Sequence, residues 1–166
     1  MKKEEVDASN KFQQYIKMDS WQQLLLNLTV FSLIPAFCEE VFFRGTMQPL
    51  WYKCLPKPWL AVFITAFLFS LLHFQFQGFL PRFLAGVVFG GIFYLSGSLW
   101  LSISSHILYN SSVVLLNYAN QHSQVNIISL GKILLNPLLL IVAALGMAIL
   151  FFQMYQGRYK KYYYNK

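Results

Sequence analysis

The sequence predicts an all-α protein, a polytopic bundle of about five transmembrane helices, and three observations lead to this fold class. Of the 166 residues, 57% are hydrophobic and only 11% are charged, whereas a soluble domain usually has about 25% charged residues. Several apolar runs approach the length of about 20 residues that a helix needs to cross a bilayer. All six acidic residues lie within the first 40 positions, so the later apolar runs carry no carboxylate.

Five apolar segments are predicted as the helices, because polar or proline-containing breaks separate them. A proline is expected to kink the first helix, at Pro35. Gly86 and Gly90 lie four residues apart in the third helix, and such small residues let a neighbouring helix backbone approach closely. The predicted helices span about residues 21–50, 59–76, 83–95, 99–118 and 133–152.

These helices form one membrane-embedded domain, residues 21–153, between a polar N-terminal segment (1–20) and a basic, tyrosine-rich tail (154–166). The net charge of +7 does not indicate nucleic-acid binding, because basic and aromatic residues beside apolar spans are typical of membrane interfaces. The positive-inside rule places the tail in the cytoplasm. Five crossings then leave the N-terminal lysines outside, so either a span is miscounted or further helices lie upstream.

The stretch IPAFCEEVFFRG, residues 34–45, places two adjacent carboxylates and an arginine inside the first apolar segment. Glu40 and Arg44 are four residues apart and therefore face each other on a helix as an ion pair. Glu39 points about 100° away around the same helix. A charge at the membrane centre costs about 2.5–3.5 kcal/mol even on lenient scales. Glu39 is therefore either a spare acid beside a structural ion pair or a buried general base.

Two histidines and an asparagine occupy later apolar segments. In AFLFSLLHF, His73 follows Phe69 by one helical turn, and in SISSHILYN, His106 and Asn110 are four residues apart on one helix face. A single histidine in an apolar helix is most often a packing residue. Polar groups inside a membrane normally face the interior of the bundle, so two histidines, an asparagine and the intramembrane acids together favour one shared site.

These stretches resemble the three ordered signatures of the CPBP family, which includes CAAX proteases and bacteriocin-processing enzymes of the Abi type. The family pattern is Glu-Glu-x-x-x-Arg, Phe-x-x-x-His and His-x-x-x-Asn on successive membrane helices, and the chain has EEVFFR, FSLLH and HILYN. The resemblance covers about residues 30–118. It implies a multi-pass protease of the bacterial inner membrane. Its substrate would be a membrane peptide or protein, either lipidated or a bacteriocin precursor.

The resemblance also implies catalytic roles for four residues. Glu39 would act as general base on a water molecule that His73 helps to orient. His106 and Asn110 would donate hydrogen bonds to the oxyanion that forms on the substrate carbonyl. No serine or cysteine nucleophile is needed in this mechanism.

Glu40 and Arg44 would hold the first helix in register and tune the neighbouring acid, Glu39. Other mechanisms would use some of the same residues. The preferred mechanism requires no cofactor, but a zinc ion with an open position for water is also possible. Its three ligands would be Glu39, His73 and His106. Cys38 as a nucleophile is disfavoured, because no feature of the sequence stabilises a thiolate.

Two non-proteolytic functions remain as alternatives to the endopeptidase. One is a catalytically silent immunity or scaffold protein of the same fold, which would be free to lose any of the four catalytic residues. The other is an ion or proton carrier, which is disfavoured because the spans offer no second acidic site, beyond the adjacent pair, for a relay. Because all four residues are present, the sequence favours the enzyme.

Overall fold

The structure is a computed structural model that describes residues 18–76, 78–122 and 152–156, and these residues contain helices but no β-strand. The predicted all-α fold class is therefore confirmed. The predicted fifth helix, residues 133–152, lies outside the described part of the chain except for its last residue. Residues 152–156 form a further helical turn. The four helices are α1 (Trp21–Cys54), α2 (Pro58–Leu71), α3 (Phe79–Ser96) and α4 (Leu99–His122).

Three of the helices, α1, α3 and α4, are long and apolar enough to cross a membrane, while α2 is apolar but has only 14 residues. Large hydrophobic side chains stand on their outer surfaces. Leu26 on α1, Leu84 on α3 and Leu108 on α4 are all more than half exposed. Water would disfavour such a surface, whereas lipid chains match it. The arrangement fits a helical membrane bundle.

Helix α1 is interrupted twice by π-helical turns, and each turn ends two residues before a proline. A proline has no N–H, and its ring collides with the carbonyl four residues earlier. A wider turn avoids that collision, and here the Ile34 N–H donates to the carbonyl of Thr29, five residues back. At Pro35, where the sequence predicts a kink, the helix thus contains a π-helical turn. The two turns are Thr29–Leu33 before Pro35 and Phe43–Met47 before Pro49.

Three helices are longer than the sequence predicts, for identifiable reasons. Helix α1 continues to Cys54 and ends there because Leu55 precedes a proline and is extended. Helix α3 begins already at Phe79, since a proline such as Pro81 is tolerated in the first turn. Helix α4 continues to His122, four residues past its predicted end at residue 118. No glycine or proline interrupts α4, and its polar end is simply exposed.

Helix α2 is shorter than predicted, and its end determines where His73 lies. The helix stops at Leu71 instead of residue 76. The N–H of Phe74 donates to the carbonyl of Leu71, and Phe74 has a left-handed φ of 51°. A left-handed residue closes a helix C-terminus. His73 therefore lies in the turn just beyond the helix.

Helices α2 and α3 pack closely through the two glycines, as predicted. A methyl group on Gly86 would lie 3.1 Å from the Cβ atom of Ala66. A methyl group on Gly90 would lie 2.9 Å from the Gln48 side chain on α1 and 3.1 Å from that of Val62 on α2. The absence of side chains at both positions also leaves their carbonyl groups open to donors from α1.

Candidate active site

Glu40 is fully buried in the centre of the bundle and accepts hydrogen bonds from three side chains. Its Oε1 atom lies 2.8 Å from Arg44 Nη1 and 2.9 Å from His106 Nδ1. Its Oε2 atom accepts from Ser102 Oγ at 2.6 Å. The predicted Glu40–Arg44 ion pair is therefore present. The carboxylate also connects α1 to α4, and both of its oxygens accept hydrogen bonds.

Arg44 is equally buried and extends this connection to α3. Its Nη2 atom donates to the carbonyl of Gly86 at 2.8 Å. The guanidinium is surrounded by the rings of Phe43, Phe69 and Phe89, with centroids 5.9, 5.0 and 5.7 Å away. Aromatic faces attract a cation and exclude water. The polar core thus links α1, α3 and α4, and of the Arg44 side-chain nitrogens only Nε has no hydrogen-bond partner among the described residues.

Glu39 has a different environment from its neighbour, because its side chain is 28% exposed. It faces a cavity of about 190 Å³. Its Oε1 atom lies 3.9 Å from His73 Nε2, and its Oε2 atom lies 3.8 Å from His106 Nε2. Both gaps are too long for a direct hydrogen bond. A single water molecule can contact both partners across such a gap.

Both imidazoles turn the same nitrogen towards Glu39. His73 Nδ1 lies 2.8 Å from the carbonyl of Phe69, and His106 Nδ1 lies 2.9 Å from Glu40. Because these oxygens only accept, each Nδ1 carries the proton and each Nε2 is left for the cavity. Phe69 packs edge-on against both rings, at 5.0 and 5.8 Å, and Phe89 stacks on His106 at 4.6 Å. The backbone and the aromatic rings thus orient the two histidines.

The structure brings all four predicted catalytic residues to one cavity, since Glu39, His73, His106 and Asn110 all line it. Asn110 lies one turn beyond His106 on the same face of α4. Cys38, the disfavoured nucleophile, is exposed and does not line this cavity. The cavity therefore combines one half-exposed carboxylate, two imidazole nitrogens and one carboxamide.

The three residues of the zinc alternative do not have the spacing of a zinc site. Ligand atoms around tetrahedral zinc lie about 3.3 Å apart when the bonds are about 2.0 Å, whereas the separations here are 3.8 and 3.9 Å. Within the described ranges, no group of three or more His, Cys, Asp or Glu side chains is arranged to hold a metal ion. Both Nδ1 atoms do have oxygen partners, as metal-bound imidazoles usually have.

The model of the family described as Type II CAAX prenyl endopeptidase Rce1-like matches residues 21–112, more than half of the chain. The chain belongs to this family. The resemblance to the CPBP family, inferred from three motifs, is therefore confirmed. No curated protein and no solved structure matches the chain significantly. The Rce1-like family is a family of proteases. Together with the apolar helices, it indicates an integral membrane hydrolase whose substrate is a peptide or protein.

Sequence reasoning missed three residues and one hydrogen bond of this Rce1-like site. Ser102 lies four residues before His106, a spacing that already places it on the same helix face. Arg82 and Tyr109 also line the cavity. Arg82 is the only lysine or arginine between Lys57 and Lys132. Its isolation in an apolar region could have identified it as a candidate site residue. The hydrogen bond from His106 to the buried Glu40 could not be predicted from the sequence. The spacing of residues within one helix does not show which side chain of another helix they contact.

Proposed function

We propose that the protein is an intramembrane endopeptidase that hydrolyses a peptide bond with water activated by Glu39. One observation carries the proposal. Glu39 is half-buried and lies 3.8–3.9 Å from two imidazole nitrogens in a cavity of the bundle, while the adjacent acid is fully hydrogen-bonded. An acid without a direct partner is costly at this depth. Catalysis explains its position better than stability does.

In the first step, a water molecule in the gap contacts Glu39 and His73. Glu39 accepts a proton from this water as the oxygen attacks the carbonyl carbon of the substrate. The hydrogen bond from His73 Nδ1 to the Phe69 carbonyl keeps Nε2 directed at the water. Positioned proton transfer of this kind contributes about 10²–10⁴-fold in rate.

In the second step, the oxyanion on the former carbonyl is stabilised by Asn110 and His106. The Asn110 carboxamide donates one N–H. Because Nδ1 of His106 donates to Glu40, Nε2 can donate to the oxyanion only from a ring that already carries both protons when the substrate binds. The C–N bond then breaks, and Glu39 passes its proton to the leaving amine. The products are one fragment with a new carboxylate and one with a new amine.

The substrate class follows from the family and from the surroundings of the site. The family description names prenyl endopeptidases, which makes a lipidated peptide one substrate to test and an unlipidated membrane peptide, such as a bacteriocin precursor, the other. A location in the bacterial inner membrane is part of the same proposal. The exposed leucine and phenylalanine side chains on the outer surface support a substrate that reaches the cavity from the bilayer.

The proposal is tested by replacing Asn110 with alanine. We expect kcat for cleavage of a membrane peptide to fall by about 10²–10³-fold, because one oxyanion donor is lost. The measurement is cleavage of fluorogenic peptides, lipidated and unlipidated, by the purified protein in liposomes. Cys38→Ala is the control and should keep the wild-type rate. If the wild-type protein cleaves neither class of peptide, the silent scaffold is the correct function.

Zinc dependence is decided by a separate experiment. After dialysis against a strong chelator, we expect the rate to stay unchanged, because the proposed water is activated by side chains alone. Elemental analysis of the same sample should find less than one zinc per chain. Loss of activity that zinc restores, and other divalent ions do not, would show that Glu39, His73 and His106 close around a metal.

A further inference from the structure

Arg82 is a cavity residue that the proposed mechanism does not use. It lies in the first turn of α3 and lines the same cavity as Glu39 and His73. Its Nη2 atom donates to Gln75 Oε1 at 2.8 Å. Its Nη1 atom is buried and has no hydrogen-bond partner among the described residues. One side of the guanidinium therefore has unused donor capacity in the candidate active site.

An unused guanidinium donor at this place indicates a bound anion. Leaving a buried charged donor without a partner is unfavourable, and the planar guanidinium fork matches a carboxylate with two parallel hydrogen bonds. The two acids that lie within the described helices are already engaged. Glu40 is bonded by three donors, and Glu39 faces the two histidines. The missing partner is therefore expected to come from a ligand.

We propose that Arg82 binds a carboxylate of the peptide substrate. This inference rests on the proposed function for its substrate, a peptide, and adds which chemical group the site recognises. The carboxylate is either the free C-terminus of the peptide or an acidic side chain. Because Arg82 and Glu39 line one cavity of about 190 Å³, the bound carboxylate lies only a few residues from the cleaved bond. Arg82 is then a specificity residue that determines where the peptide is cut.

The test measures binding, so that it does not depend on turnover. Fluorescent peptides without Asp or Glu, ending either in a free acid or in an amide, are titrated against Glu39→Gln protein in nanodiscs of zwitterionic lipid. We expect the free acid to bind roughly 10–100-fold more tightly than the amide. Arg82→Gln on the same background should remove this preference. If the two peptides bind equally to the Arg82-containing protein, a C-terminal carboxylate is not recognised.

A second peptide arm identifies the source of the carboxylate. An amidated peptide with one aspartate is compared with the same peptide carrying asparagine. An Arg82-dependent preference for the aspartate peptide also supports the proposal and assigns the group to a side chain. The proposal is overturned if neither carboxylate gives an Arg82-dependent preference. Failure of the proposed protease function can be distinguished from failure of this proposal. It would appear as absent peptide cleavage, while the ratios of affinity between acidic and neutral peptides would be unchanged.

Two controls separate recognition from structural and lipid effects. Gln75→Ala removes the hydrogen-bond partner of Arg82 but keeps the guanidinium, so the acid preference should persist. A merely structural Arg82 would change the affinity for acid and amide peptides equally, and that result contradicts the proposal. The same titrations are repeated with anionic lipid in the nanodiscs. An effect of Arg82→Gln that appears only with anionic lipid would assign the guanidinium to a lipid phosphate and overturn the proposal.

Discussion

Replacing Glu39 by glutamine is expected to lower kcat for peptide hydrolysis by about 10²–10⁴-fold and to leave the bundle folded. The carboxamide has nearly the same shape but cannot accept the proton of the attacking water. Little stability should be lost, because the side chain is 28% exposed and lies 3.8–3.9 Å from both imidazoles. The measurements are single-turnover cleavage in liposomes and thermal unfolding in detergent.

Glu39→Asp is the matched control, because it keeps the carboxylate and moves it back by one methylene. Its rate should fall between those of the wild type and the glutamine variant. A wild-type rate in Glu39→Gln would show that the water is activated elsewhere. A large loss of folded protein in the same variant would instead mean that Glu39 is a structural acid.

Replacing Arg44 by methionine is expected to lower the free energy of unfolding by about 3–5 kcal/mol, the usual effect of breaking a buried ion pair. Methionine fills much of the space but leaves the Glu40 charge without its cation. It also removes the hydrogen bond to the Gly86 carbonyl. The change should appear as a lower thermal midpoint of the purified protein in detergent and as a lower folded yield.

The adjacent acids Glu39 and Glu40 offer a matched comparison that also tests the structural role of the ion pair. Glu40→Gln and Glu39→Gln make the same chemical change one residue apart, yet Glu40 is 0% exposed and bonded to Arg44, Ser102 and His106. Glu40→Gln should therefore lower the folded yield far more than Glu39→Gln. Equal yields from the two variants would contradict the structural role of the ion pair.

The shared cavity could be predicted from spacing alone, for a physical reason. Residues four apart lie on one helix face, and polar groups in a bilayer are stable only where they meet others. Those two rules indicated that Glu39, His73, His106 and Asn110 would come together. They could not indicate that His106 contacts both adjacent acids, because this depends on how α4 is rotated against α1.

The helix ends were less predictable, because tertiary contacts and single backbone angles determine them. The apolar pattern continues past Leu71, yet the left-handed φ of Phe74 closes α2 there. Neither π-helical turn has a sequence signature beyond the proline that follows it. Arg82 could have been noted as an isolated cation, but its place in the cavity depends on where α3 begins.

The π-helical turns of α1 have a consequence for how the gene can vary. Each wide turn holds one residue more than an α-helical turn does. In an α-helix, each residue turns the chain by about 100° around the helix axis. The segment Ile34–Phe42, which carries both acids, lies between the two turns. Loss of a single codon within Thr29–Leu33 would remove that extra residue and leave an α-helical turn, in which the Pro35 ring collides with the carbonyl four residues earlier. Length changes in related genes should therefore be rare on both sides of this segment.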